Sequence, residues 1–288
     1  MKIKPKYLPL FTTVCGLLGF GLRFWLFRTG VDEKGLLVAS HPANALTFVL
    51  TGVVLLAVFL WTRKLDKIRS HKKLYPASVT ALLGCIPAAI GLLLAALYEL
   101  KMKQDLITYI TLGLSVLAAA SLILLGIGRK KGLRPNFLMQ AVLTVYLMFH
   151  LVSQYRLWSS EPQLQVYCFQ LLASVFLMLS VFHGTILDTQ VGSRRSFVFY
   201  NQAALFCSCM SLMGDCWWFY LAMGLFCATN LCSLKDKPYR PKYLKKEEPN
   251  DASSFHSCLL HPAAGGSGIP GACGRRLRPG FPTGDCPP

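Results

Sequence analysis

The stretch CMSLMGDCWWFYL, residues 209 to 221, lies inside an apolar tract of 37 residues that runs from Phe197 to Ser233. As one helix that tract would be about 55 Å long at 1.5 Å per residue, far more than a bilayer core of roughly 30 Å requires. Turning at Gly214-Asp215 instead gives two spans of 17 and 18 residues, Phe197–Met213 and Cys216–Ser233. The choice also sets the side of the membrane on which the C-terminal residues lie. The segment Lys235–Lys246 carries six Lys or Arg, and basic residues are held on the cytoplasmic side. Only the hairpin returns them there. Length and charge agree on two helices.

Working outward, the rest of the chain has the same character. Of the 288 residues, 53% are hydrophobic and 15% charged, outside the range of an ordinary soluble domain. Six further runs are long enough to cross a bilayer: Tyr7–Phe27, Ala43–Thr62, Val79–Glu99, Leu106–Ile127, Phe137–Trp158 and Leu164–Leu187. They are apolar all round, without the polar stripe of a surface helix. The first is longer than a signal-peptide core and lacks a small-x-small cleavage site, so it is expected to stay in the protein. The sequence predicts an all-α, multi-pass integral membrane bundle of eight transmembrane helices in residues 1–234. A basic segment, 235–250, and a Gly- and Pro-rich tail, 251–288, follow; the tail is expected to be disordered.

Loop charges orient the bundle. The segments Arg63–Tyr75, Arg129–Pro135 and Asp188–Ser196 hold six, four and two Lys or Arg, while Arg28–Pro42, Lys101–Asp105 and Leu157–Gln163 hold two, two and none. Both termini are therefore expected in the cytoplasm, with the protein in the cell membrane. Trp25, Trp61, Trp158, Trp217 and Trp218 all fall at predicted borders, the level that tryptophan prefers. The net charge of +17 sits in short loops, which points to anionic lipid headgroups as partner and away from nucleic acid.

Catalytic motifs are scarce. G-x-S-x-G, H-E-x-x-H and P-loop patterns do not occur. His183 and Asp188 stand at the H-x4-D spacing seen in glycerolipid acyltransferases, without a companion phosphate-binding motif. Cys207 and Cys209 are about 200° apart on a helix and cannot face one ion. The cysteines of the spans read as packing residues. His150 and His183 lie at depths about 15 Å apart, which disfavours a shared haem. No metal, cofactor or catalytic residue is assigned.

The densest polar region is RFWLFRTGVDEKGLLVASHPAN, Arg23 to Asn44, the longest outer loop. Arg23, Asp32, Glu33 and His41 from this stretch, with His150 and Arg156 of the fifth span, are the candidate ligand-binding residues. Glu99, Gln154, Glu161 and Asp215 share that face. Ionisable groups within spans face a cavity or a partner, so these residues are expected to line an outward-facing vestibule for a small polar or anionic solute. Arg23 is expected to pair with Asp32 or Glu33; a snorkelling interfacial anchor is the competing reading. Sensing or transport of a solute is the leading function. An enzyme acting on lipid or lipid-linked substrate, or an accessory protein without catalysis, is the alternative.

Overall fold

A computed structural model describes residues 8–30, 37, 41–65, 79–102, 105–131, 137–159, 164–188, 192–214 and 216–234. All of them belong to one compact unit, Met1–Tyr239. Asp32, Glu33, Lys34, Glu161, Asp215, the basic segment and the tail lie outside the described residues.

Among the described residues the secondary structure is helical, in eight α-helices. These are α1 Leu8–Thr29, α2 Pro42–Arg63, α3 Val79–Met102, α4 Leu106–Lys130, α5 Phe137–Trp158, α6 Cys168–Asp188, α7 Arg194–Met210 and α8 Trp217–Cys232. Short 3-10 turns, Leu164–Tyr167 and Ser211–Met213, precede α6 and follow α7. Seven of the eight are long and apolar enough to cross a membrane, and α8 is a shorter apolar helix of 16 residues. The chain is a multi-pass helical membrane protein.

The apolar tract Phe197–Ser233 turns where expected. After Met210 the helix tightens into the 3-10 turn and stops at Gly214, whose N–H reaches Ser211 O at 3.1 Å; Trp217 then starts α8. Its beginning differs from expectation. The expected span begins at Phe197, whereas the helix starts three residues earlier, at Arg194, behind an N-cap. The Ser193 side chain accepts from Ser196 N at 3.3 Å, satisfying one of the free donors of the first turn. An apolar-run criterion passes over this turn because Arg194, Arg195 and Ser196 are polar.

Helices α3, α4, α5, α6, α7 and α8 pack each against the next, and α8 closes the ring on α3. Helices α1 and α2 lie against α7 outside the ring. The ring interior carries Leu92, Tyr146, Leu147, Phe206, Phe219 and Tyr220, all essentially without solvent contact. Large apolar side chains such as Val49, Val53, Leu83, Leu97 and Leu117 project outward, as lipid contact demands.

Between membrane helices the hydrophobic effect gives little, and close backbone approach through small residues takes its place. A methyl added at Gly84 of α3 would run into Thr229 of α8, and one at Gly91 would lie 2.5 Å from Ala222 Cβ. On α1, Gly16 and Gly19 meet Cys209 and Met210 of α7 in the same way, whereas Gly21 faces open space. Thr12 donates to the Gln202 side chain across the α1–α7 seam, and Arg129 donates to the Asn230 side chain across α4–α8. Both contacts lie toward the end of the bundle that charge assigns to the cytoplasm.

Candidate functional site

At the opposite end, two buried charged groups dominate, and they are held by different means. The first is Glu99, one turn before the end of α3 and 1% exposed. Ser153 Oγ donates to Glu99 Oε2 at 2.8 Å and Gln154 Nε2 to Oε1 at 2.7 Å. His150 Nδ1 lies 2.7 Å from Oε1, at ion-pair distance but off the line of a hydrogen bond. The helical repeat explains the arrangement: residues three and four positions after His150 share its face, so α5 presents three polar groups to one carboxylate of α3.

The imidazole is boxed by aromatic rings. Tyr146, one turn earlier on α5, stacks on it at 5.8 Å and 16°, and Phe219 of α8 approaches at 4.4 Å. His150 is 1% exposed, and its Nε2 meets no hydrogen-bonding partner. A buried charge without a partner is strongly unfavourable, whereas a paired and hydrogen-bonded one is tolerated. Glu99 is satisfied on both oxygens. Neither ring nitrogen of His150 makes a hydrogen bond: Nδ1 lies against the Glu99 carboxylate, and Nε2, away from it, is a base or a donor according to where the proton sits.

The second group is Arg23, 3% exposed on α1. Its Nη1 donates to Met210 O at 3.0 Å and its Nη2 to Val166 O at 2.9 Å. The Phe27 and Phe169 rings lie 5.5 and 5.0 Å from the guanidinium carbon. Met210 closes α7, so the cation sits where unpaired carbonyls and the helix dipole are negative. One guanidinium thus joins α1, the end of α7 and the turn before α6. Asp32 and Glu33, the expected acidic partners, lie outside the described residues; among the described residues the partners of Arg23 are backbone carbonyls and ring faces.

The remaining candidates have local roles. His41 caps α2, its Nδ1 accepting from Ala43 N at 3.3 Å, and its ring meets Trp25 edge-on at 5.6 Å. Arg156 pairs with Asp105 at 3.2 Å, the two side chains 47% and 49% exposed, a pair that contributes about 1 kcal/mol at most. His183 stacks on Tyr200 at 4.4 Å, in surroundings unlike those of His150. Of the sequence candidates, Glu99, His150 and Gln154 therefore come together, while Arg23, His41 and Arg156 each have other partners.

Sequence reasoning missed Ser153, Tyr146 and Phe219. The first two carry a signal, since they stand three residues after and four before His150 on one helical face. Phe219 carries none, because its approach depends on how α8 packs. The chain matches no protein family model, no curated protein and no solved structure.

Proposed function

We propose that this membrane protein handles a small polar or anionic solute, by sensing or transport, from the outer face of the cell membrane. Glu99 and His150 are its protonatable centre. The observation that carries the reading is the unused His150 Nε2, buried between Tyr146 and Phe219 while Nδ1 faces a saturated carboxylate. Ionisable groups inside membrane spans mark solute paths, proton relays or ligand counter-ions. An imidazole whose second nitrogen is free can accept from a solute hydroxyl, or donate to a solute anion once protonated. Arg23 then holds α1 against the α6–α7 end of the bundle and does not contact the solute. Anionic lipid headgroups are the proposed counter-charge for the basic inner loops.

One observation favours a second reading. A carboxylate beside one imidazole nitrogen with the other nitrogen free is also how a general base is oriented, and a lipid-linked substrate could approach between helices. A thermal-stability screen in detergent separates the readings. A polar solute that stabilises the wild type and not His150→Gln supports solute handling. Stabilisation by lipid-linked compounds alone, with their slow turnover, supports the enzyme. Stabilisation by neither, or equal shifts in both proteins, removes His150 as the centre.

A further inference from the structure

At the end of the bundle opposite the Glu99–His150 centre, two guanidinium groups meet where α2 ends and α7 begins. Arg63 closes α2, and Arg195 stands in the first turn of α7. Arg63 is exposed, and its guanidinium carbon lies 4.5 Å from the centre of the Phe59 ring, one turn deeper on the same helix. Arg195 is half-buried and donates its Nε to Leu65 O, two residues beyond Arg63. Among the described residues neither side chain meets an acid, and their terminal nitrogens make no hydrogen bond. An arginine carries five N–H donors, so most of these are unspent. The local sequence supplies little to offset them. The segment Arg63–Tyr75 holds six Lys or Arg against one acid, Asp66, and the first turn of α7 holds no acid.

Below the two cations runs a row of rings. Phe59 of α2 meets Phe199 of α7 edge-on at 5.7 Å, Phe199 meets Tyr200 at 5.2 Å, and Tyr200 stacks on His183 of α6 at 4.4 Å. Each stands four to six residues inside its helix, about 6–9 Å along the axis. Phe59 is exposed and the other three are half-buried, so the row is open to lipid. Rings at this level anchor a span in any bilayer. The cations above them add a choice of lipid.

Their position and shape indicate what they bind. A guanidinium fork matches the oxygens of a phosphate. Arg63 is folded down onto Phe59 and so faces an acceptor at the membrane surface. Basic sites between spans on the cytoplasmic side suit anionic headgroups. We infer that the α2–α7 junction binds the phosphate of one anionic phospholipid of the cytoplasmic leaflet. Arg63 and Arg195 donate to its oxygens, and the upper acyl chains lie along Phe59, Phe199 and Tyr200. This rests on anionic headgroups being the counter-charge of the inner loops, and narrows that diffuse attraction to one lipid at one place.

The test is native mass spectrometry of the full chain in detergent with equal amounts of phosphatidylglycerol and phosphatidylcholine. One phosphatidylglycerol should be retained in preference to phosphatidylcholine. Arg63→Gln and Arg195→Gln should each lower that retention severalfold. Lys130→Gln removes the same charge from an exposed residue at the inner end of α4 and should leave retention unchanged. If Arg195→Gln fails to fold without its bond to Leu65, the exposed Arg63 carries the test. Equal losses from Lys130→Gln and Arg63→Gln would overturn the site and leave only the diffuse attraction. No preference for phosphatidylglycerol would overturn both. Displacement of the lipid by an equal concentration of glycerol phosphate would overturn the assignment to a lipid, making the junction a site for soluble anions.

Discussion

Arg23 of α1 donates to the carbonyl of Met210, the last residue of α7, while its other terminal nitrogen donates to Val166. A forked guanidinium serves two carbonyls on different elements, which a single ammonium on a flexible stem does poorly. Arg23→Lys is therefore expected to destabilise the protein by about 1.5–3 kcal/mol, the contribution of one hydrogen bond to a charged group. Thermal unfolding in one detergent measures it. A melting temperature equal to wild type would return Arg23 to the role of an interfacial anchor.

The Glu99–His150 pair makes a distinct prediction. Removing one partner leaves the other buried and uncompensated, at a cost of about 3–5 kcal/mol. Glu99→Gln and His150→Gln should each be strongly destabilising, and the double variant should cost clearly less than their sum. A double-mutant cycle in detergent reads the coupling. Additive effects would show that the 2.7 Å approach carries no interaction.

Packing between α3 and α8 can be tested without touching any charge. Gly84→Ala drives a methyl into Thr229 and should cost about 1–3 kcal/mol through overpacking; adding Thr229→Ala should restore part of it. Gly113→Ala, with nothing within 4 Å, should be neutral or stabilising, by up to about 1 kcal/mol from helix propensity. Equal melting temperatures for the two alanine variants would contradict the α3–α8 seam.

Orientation rests on charge asymmetry alone. A reporter active only outside the cytoplasm, fused after Lys246, should be silent. The same reporter joined after Met213, at the predicted outer turn, should be active. Strong signal at Lys246 would break the even number of crossings.

The sequence made the helices legible because each span is apolar all round, and the bilayer thickness fixes their length. It placed the start of α5 at Phe137, the end of that helix at Trp158 and the turn at Gly214, as found. Helix ends were missed where polar residues continue the helix. Lys101 lies in the last turn of α3 and Arg129 and Lys130 in that of α4, all favourable to the dipole, and Ser193 caps α7. The site was legible in part. A shared depth at one face collected Glu99, His150 and Gln154, but the same criterion gathered Arg156 and Arg23, whose partners are an aspartate in a loop and two backbone carbonyls. Backbone carbonyls leave no trace in residue type, so the contacts of Arg23 to Met210 and Val166 are not legible in sequence, and Asp32 and Glu33, its expected partners, lie outside the described residues.

Solute handling through His150 requires that its buried Nε2 communicate with the outer solution. Carbethoxylation of sealed vesicles from the outer side, followed by peptide mapping, tests this directly, with His41 at the same end of the bundle as internal standard. His41 is expected to react quickly and His150 slowly but to completion, and a stabilising solute is expected to protect His150 and not His41. Complete reaction of His41 with His150 unmodified would contradict it, leaving the Glu99–His150 pair a sealed structural clasp between α3 and α5.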